Sequence, residues 1–185
     1  MDKSVALIGS GNVFFKDEGI GLYAAKYLKE NFDFEPPLSI VDGGTLGFRL
    51  MSLLQEHDEV VIVNTASEEN AEAGAVSVKD CDTFLDGSLI KKTANEVEIA
   101  EMLQICSLAE HMAGTTLISI VPEDIVSVEV GLSDTLIAAW PEYIDTVLAV
   151  LRRCGLRAER KSRSVSLQEV LQVFASPSIE HQRGF

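Results

Sequence analysis

The chain is poor in cysteine, histidine and basic side chains, and it has no long apolar run. Three cysteines, Cys81, Cys106 and Cys154, are scattered over 185 residues. They are too few and too far apart for a disulfide framework or a CxxC metal site. Reduced, mostly buried thiols in a cytoplasmic protein are therefore expected. No stretch approaches the roughly 20 apolar residues of a membrane span. The apolar run at the N-terminus is too short for a signal peptide, and no small-residue cleavage site follows it. Lys and Arg total 15 against 29 Asp and Glu, a net charge of −14. Such a surface repels nucleic-acid backbones and anionic lipid headgroups, so neither is expected as a partner.

What is present is ordinary for a folded domain: 46% hydrophobic and 24% charged residues. The length suits about one domain with a substantial core. Val5 to Ile8, Leu38 to Val41, Val60 to Val63 and Leu117 to Val121 are short, continuous apolar runs, as in strands buried on both faces. A shorter strand is expected over Ala75 to Val78. Helical spacing runs from Glu18 to Phe32, through Leu46, Leu50, Leu53 and Leu54, from Val97 to Met112 and from Thr135 to Arg153. Strands alternating with helices imply parallel pairing in a layered α/β domain. Ligands in such sheets gather at the carboxyl ends of the strands. That places Gly9 to Glu18, Asp42 to Thr45, Asn64 to Ser67 and the loop before Asn95 as candidates.

The boundary of the α/β domain is expected near residue 158. Residues 159–185 differ in charge, with four Lys and Arg against three Glu. Ser164 to Ala175 has the spacing of a short amphipathic helix through Leu167, Val170, Leu171 and Phe174. It either docks on the body or serves as an appendage for other assembly factors.

Gly9-Ser10-Gly11 invites a dinucleotide fingerprint, but the third glycine is replaced by Phe14. Val13 to Lys16 also separate the turn from the helix that would hold the pyrophosphate. There is no Walker A pattern, no Ser/His/Asp or Cys/His constellation and no zinc-protease motif.

The fuller motif runs from Gly9 to Gly21 and contains Asn12, Asp17, Glu18 and Gly19. It resembles the opening G-x-G-N-x-x-x-x-D-[DE]-G-x-G of the [NiFe]-hydrogenase maturation endopeptidases. Asp42-Gly43-Gly44-Thr45-Leu46-Gly47 is similar to that family's D-G-G-T-x-G loop. Pro122-Glu123 and Gly131-Leu132-Ser133 are similar to its P-E and G-L-[ST] stretch. The three blocks occur in order over residues 4 to 156.

The resemblance implies a three-layer α/β/α fold with a mixed, mostly parallel five-stranded sheet. It implies a protein that recognises nickel already inserted in a hydrogenase large-subunit precursor and removes a C-terminal peptide from it. The metal would be presented by the substrate, with no cofactor resident in the protein. Three metal-binding positions carry over to Glu18, Asn64 and Asn95, where the family has an acid, an Asp and a His. Nickel(II) favours imidazole and anionic oxygen, so two carboxamides imply weak or absent nickel binding. The nearby carboxylates that would restore charge are Glu68, Glu96 and Glu98. None of His57, His111 and His181 is placed to substitute for the missing imidazole. Glu18 and Asp42 are the candidate catalytic residues, and Gly43, Gly44 and Thr45 the candidate substrate loop.

The same residues have local readings as well. Asn caps strand and helix ends, Glu suits a helix N-terminus, and Asp42 can hold N–H groups of its own tight turn. Three functions stay open on the sequence: an active endopeptidase, a relative that binds the precursor without cutting it, and an unrelated small-ligand domain.

Overall fold

The computed structural model describes residues 3–44, 47–86 and 93–176. Thr45, Leu46 and His181 lie outside the described residues. The strands are β1 (Val5–Ser10), β2 (Phe32–Glu35), β3 (Leu38–Gly44), β4 (Glu59–Thr65), β5 (Val76–Asp80), β6 (Gly114–Ile120) and β7 (Arg157–Arg160). The helices are α1 (Ile20–Asn31), α2 (Met51–Glu56), α3 (Cys81–Asp86), α4 (Ala94–Cys106), α5 (Asp134–Arg153) and α6 (Leu167–Ala175). Two 3₁₀ turns, Lys16–Gly19 and Gly47–Leu50, precede α1 and α2.

Five strands form one sheet in the order β3-β1-β4-β6-β5. The first four are parallel, and β5 runs antiparallel to β6. Strand alternation sorts the core into two faces. Val5, Leu7, Val61, Val63, Ile118 and Ile120 pack with α1, α5 and α6. Ala6, Ile8, Val60, Ile62 and Leu117 pack with α2, α3 and α4. The result is the three-layer α/β/α arrangement with a mixed sheet. Each fully buried aliphatic side chain contributes roughly 1.5–3 kcal/mol, which is why the unbroken apolar strands lie at the centre.

The chain leaves β1 toward β3 on one side and returns to β4 on the other. Strand order therefore reverses between β1 and β4, and a crevice opens at their carboxyl ends. α1 begins in that crevice and lies against the sheet at Gly21. A Cβ there would stand 2.2 Å from the Val63 carbonyl oxygen and 2.4 Å from that of Ser10. Both obstacles are backbone, so neither can swing aside. Gly21→Ala is expected to cost ~3 kcal/mol or more, read as a lower urea midpoint at an unchanged slope.

Several elements depart from the sequence expectations. The helix expected from Glu18 to Phe32 starts as a 3₁₀ turn and ends at Asn31, because Phe32 opens β2. β2 and β7 pair antiparallel in a separate two-stranded sheet, from Phe32 with Arg160 to Glu35 with Arg157. α4 ends at Cys106 and not at Met112. Its continuation tightens into i→i−3 bonds, from Leu108 N–H to Ile105 C=O and from Ala109 N–H to Cys106 C=O.

The division after residue 158 falls within β7. Beyond it, Val170 and Leu171 are buried with the α1/α5 core, and Phe174 stands edge-on to Tyr23 at 5.2 Å. Asn31, fully buried, holds this segment down: its Nδ2 donates to Val165 C=O at 3.0 Å, and its Oδ1 accepts from Val165 N–H at 2.7 Å. No helix among the described residues is long and apolar enough to cross a membrane.

Candidate functional site

Alternation along the central strands puts Ser10, Asn64 and Ser119 on the α4 face, one step beyond the apolar residues of β1, β4 and β6. All three are buried. The polar ends of apolar strands thus form a row beneath the N-terminus of α4. Thr93 caps that helix in a capping box: its Oγ accepts from Glu96 N–H at 3.1 Å, and Glu96 Oε2 accepts from Thr93 N–H at 3.2 Å.

Beside this helix end lies a cleft of about 260 Å³, lined in part by Asn12, Phe15, Glu18, Asn95, Glu98 and Ile125. Glu18 comes from the 3₁₀ turn and is mostly buried. Burial pushes its carboxyl above the ordinary range; a hydrogen bond from the Thr93 side chain opposes this, and the nearby Glu96 charge adds to it. The positive end of the α4 dipole helps the carboxylate to persist there.

Asn95 reaches the same cleft, but its amide is engaged. Nδ2 donates to Ser10 Oγ at 2.9 Å and to Gly44 C=O at 3.4 Å. Asn95 thereby ties α4 to the end of β1 and to the loop after β3. Asn64 does not line the cleft. It is fully buried in the row below, where its Oδ1 accepts from Ser119 Oγ at 2.7 Å. Its Nδ2 is buried with no hydrogen-bond partner. Turning the amide over would let Nδ2 donate to Ser119 and would leave Oδ1 as the unpartnered atom. Either way one polar atom of Asn64 is left without a hydrogen-bond partner.

Asp42, opposite Gly9 across β1 and β3, is half-buried and outside the cleft. Burial raises its pKa, and the Gly44 backbone N–H works against this. Gly43 is buried in the same turn, and Gly44, at φ +44°, presents the carbonyl that accepts from Gly11 N–H and from Asn95.

Of the carboxylates expected to restore charge, Glu98 lines the cleft, and its Oε2 is buried without a hydrogen-bond partner. Glu96 is taken up by Thr93 and by Ser67, whose N–H donates to Oε1 at 2.7 Å. Glu68 pairs with Lys79 at 2.9 Å. Among the described residues, no group of three His, Cys, Asp or Glu side chains is placed to hold a metal ion. His57 is remote from the site, on the C-terminal cap of α2 against Leu53 C=O and Ser39.

The sequence reading missed Asp17. This fully buried carboxylate accepts from the N–H groups of Glu123, Asp124 and Ser133 and from Ser133 Oγ, at 2.7–2.9 Å. It joins the first motif to the Pro122-Glu123 and Gly131-Leu132-Ser133 stretches. Its signal in the sequence was the co-occurrence of those blocks. Ser10, Thr93 and Ser119 were missed because hydroxyl residues at element ends are common.

Fold and site together define a layered α/β domain with an acidic cleft at the switch point of its sheet. A family model described as hydrogenase maturation protease matches residues 22–150. The hydrogenase 2 maturation protease of Escherichia coli is 26% identical over 159 residues, covering 83% of this chain and 94% of that protein. The coenzyme F420 hydrogenase subunit delta of Methanothermobacter thermautotrophicus is 31% identical over 153 residues, covering 80% and 94%. In structure, the hydrogenase maturating endopeptidase HybD from E. coli superposes with a TM-score of 0.77 at 23% identity, over 86% of this chain and 98% of that one. This chain belongs to the hydrogenase maturation protease family.

Proposed function

We propose that this protein removes a C-terminal peptide from a nickel-loaded [NiFe]-hydrogenase large-subunit precursor. The observation that carries the reading is Glu18: a mostly buried carboxylate with a raised pKa, at the mouth of a cleft, in a chain of this family. A buried acid whose pKa is shifted by its surroundings, set in a cleft, is a functional-site candidate on physical grounds. Nickel arrives as part of the substrate, and Glu18 is the anionic oxygen that meets it. Asn64 lies buried beneath the cleft and meets the metal only if its amide turns toward it, while Asn95 holds the Gly44 loop against β1 beside the cleft. One carboxylate with no imidazole beside it grips nickel weakly, so the precursor's own contacts supply most of the affinity. Hydrolysis adds water across the peptide C–N bond and releases the C-terminal peptide with its new amino group.

The test is incubation of the purified protein with nickel-loaded and nickel-free precursor, read by mass. Cleavage confined to the loaded precursor is expected. Stable co-elution without cleavage would replace this reading with that of a non-proteolytic binder, and neither binding nor cleavage would end both. A second prediction concerns the amides. Asn64→Asp with Asn95→His is expected to raise nickel affinity of the isolated protein by more than about 100-fold in calorimetry, since changes outside the ligand sphere alone shift metal affinity by roughly 10–100-fold. An unchanged titration would mean that these positions do not face the metal.

A further inference from the structure

The segments on one side of the cleft carry an unusual amount of exposed apolar surface. Phe14 is 63% exposed, Val126 82% and Val128 78%. Phe15 and Ile125 continue from this rim into the cleft itself. The rim joins two distant pieces of chain. Lys16 N–H donates to Glu129 C=O at 2.9 Å, and Glu129 N–H donates to Phe14 C=O at 3.0 Å.

The second piece is held in shape from beneath. Asp17 accepts from Glu123 and Asp124 N–H, and Asp17 N–H donates to Asp124 C=O. Asp124 in turn accepts from Val126 N–H at 3.1 Å and from Ser127 N–H and Oγ at 3.0 and 2.6 Å. These bonds organise the loop while its two valines face solvent. Apolar side chains on a pre-ordered loop cost little to dock, because the ordering entropy has already been spent. Grouped beside a cleft, they mark an interaction surface more than scattered exposure does.

The electrostatics select the partner. The only lysine of the rim, Lys16, is committed to Asp124 at 3.6 Å and Glu129 at 3.3 Å. Among the cleft-lining residues, Glu18 and Glu98 are acidic and none is basic. The whole chain carries −14. An occupant must therefore bring apolar side chains to the rim and positive charge to the cleft.

We infer that the rim formed by Phe14, Val126 and Val128 docks an apolar, positively charged segment of the large-subunit precursor, next to the metal it carries. This inference rests on the proposed function and adds the surface that captures the substrate. Contact with the rim sets affinity, while Glu18 sets the chemistry, so the two separate in kinetics.

The experiment uses the full chain with Val126→Asp and Val128→Asp together. Both side chains are mostly in solvent, so the melting temperature should stay within about 2 °C of the parent. KM for the nickel-loaded precursor, or Kd where binding is measured directly, should rise at least tenfold, with kcat unchanged. Leu108→Asp, on an 87% exposed apolar side chain beyond the end of α4, should leave both constants alone. Unchanged KM in the double variant, or an equal rise with Leu108→Asp, overturns the docking surface and leaves the proposed function standing. A parent protein that neither binds nor cuts the precursor overturns both.

Discussion

Asp17→Ala is expected to destabilise the protein by about 3–5 kcal/mol, enough to leave many domains of this size largely unfolded at 37 °C. The reason is topological. One fully buried carboxylate receives three backbone N–H groups and one hydroxyl from a loop and a helix start more than 100 residues away. Removing it strands Ser133 N–H at the N-cap of α5 and the N–H groups of Glu123 and Asp124. Each buried donor left unpaired costs roughly 1–3 kcal/mol. Asp17→Asn should do little better. The amide oxygen can keep the bonds that Oδ2 accepts from Glu123, Asp124 and Ser133 Oγ, but the NH₂ group would then face the Ser133 N–H, where the carboxylate offered an acceptor. Urea unfolding of the two variants checks this. If either lies within about 0.5 kcal/mol of the parent, Asp17 does not organise the three motif blocks.

Glu18→Gln is expected to have the opposite profile: processing falls by more than about 100-fold, while stability at neutral pH rises. In the unfolded chain the Glu18 carboxyl titrates near its ordinary value of about 4.3. In the folded chain burial raises its pKa, so ionisation there is harder. The folded state is therefore progressively penalised as pH climbs from the unfolded value through the raised one, and the penalty stays constant above it. Glutamine removes that penalty and still accepts the Thr93 hydroxyl. The melting temperature of Glu18→Gln should exceed the parent's at pH 7, and the gap should close below about pH 4. Precursor processing at the parental rate in Glu18→Gln would remove Glu18 from the chemistry. A gap that persists at pH 3 would show that the stabilisation is not electrostatic. Neighbouring acids of one D-E-G motif would thus part cleanly, Asp17 by stability and Glu18 by activity.

How much of this was legible before the structure varied with the range of the interactions. The buried strands β1, β4 and β6 and the long helix α5 stand close to where their apolar periodicity puts them, because burial on two faces or along one stripe is written in consecutive residues. β2 and β7 escaped notice. Each is four residues long, and its partner lies more than 120 residues away, so nothing nearby marks Phe32 as a strand and not as the end of α1. The amphipathic helix before Ala175 was readable from Leu167, Val170, Leu171 and Phe174. That it packs on Tyr23 depends on Asn31, whose buried amide reads locally as an ordinary helix end.

The site divides along the same line. Residue types and their spacing were enough to establish the layered α/β class and the family resemblance, and that resemblance implied carboxamides at two metal-binding positions. What each side chain does was settled by folding. Parallel crossovers bring the ends of β1, β3 and β4 and the start of α4 to one crevice, and hydrogen-bond partners are chosen there. Asn95 is drawn to Ser10 and Gly44, Asn64 sinks against Ser119, Asp17 gathers a distant loop, and Glu18 alone of the three carried-over positions meets the cleft as a carboxylate. A linear pattern encodes which groups are available. Burial decides which of them must find partners in the protein and which stay open to a substrate.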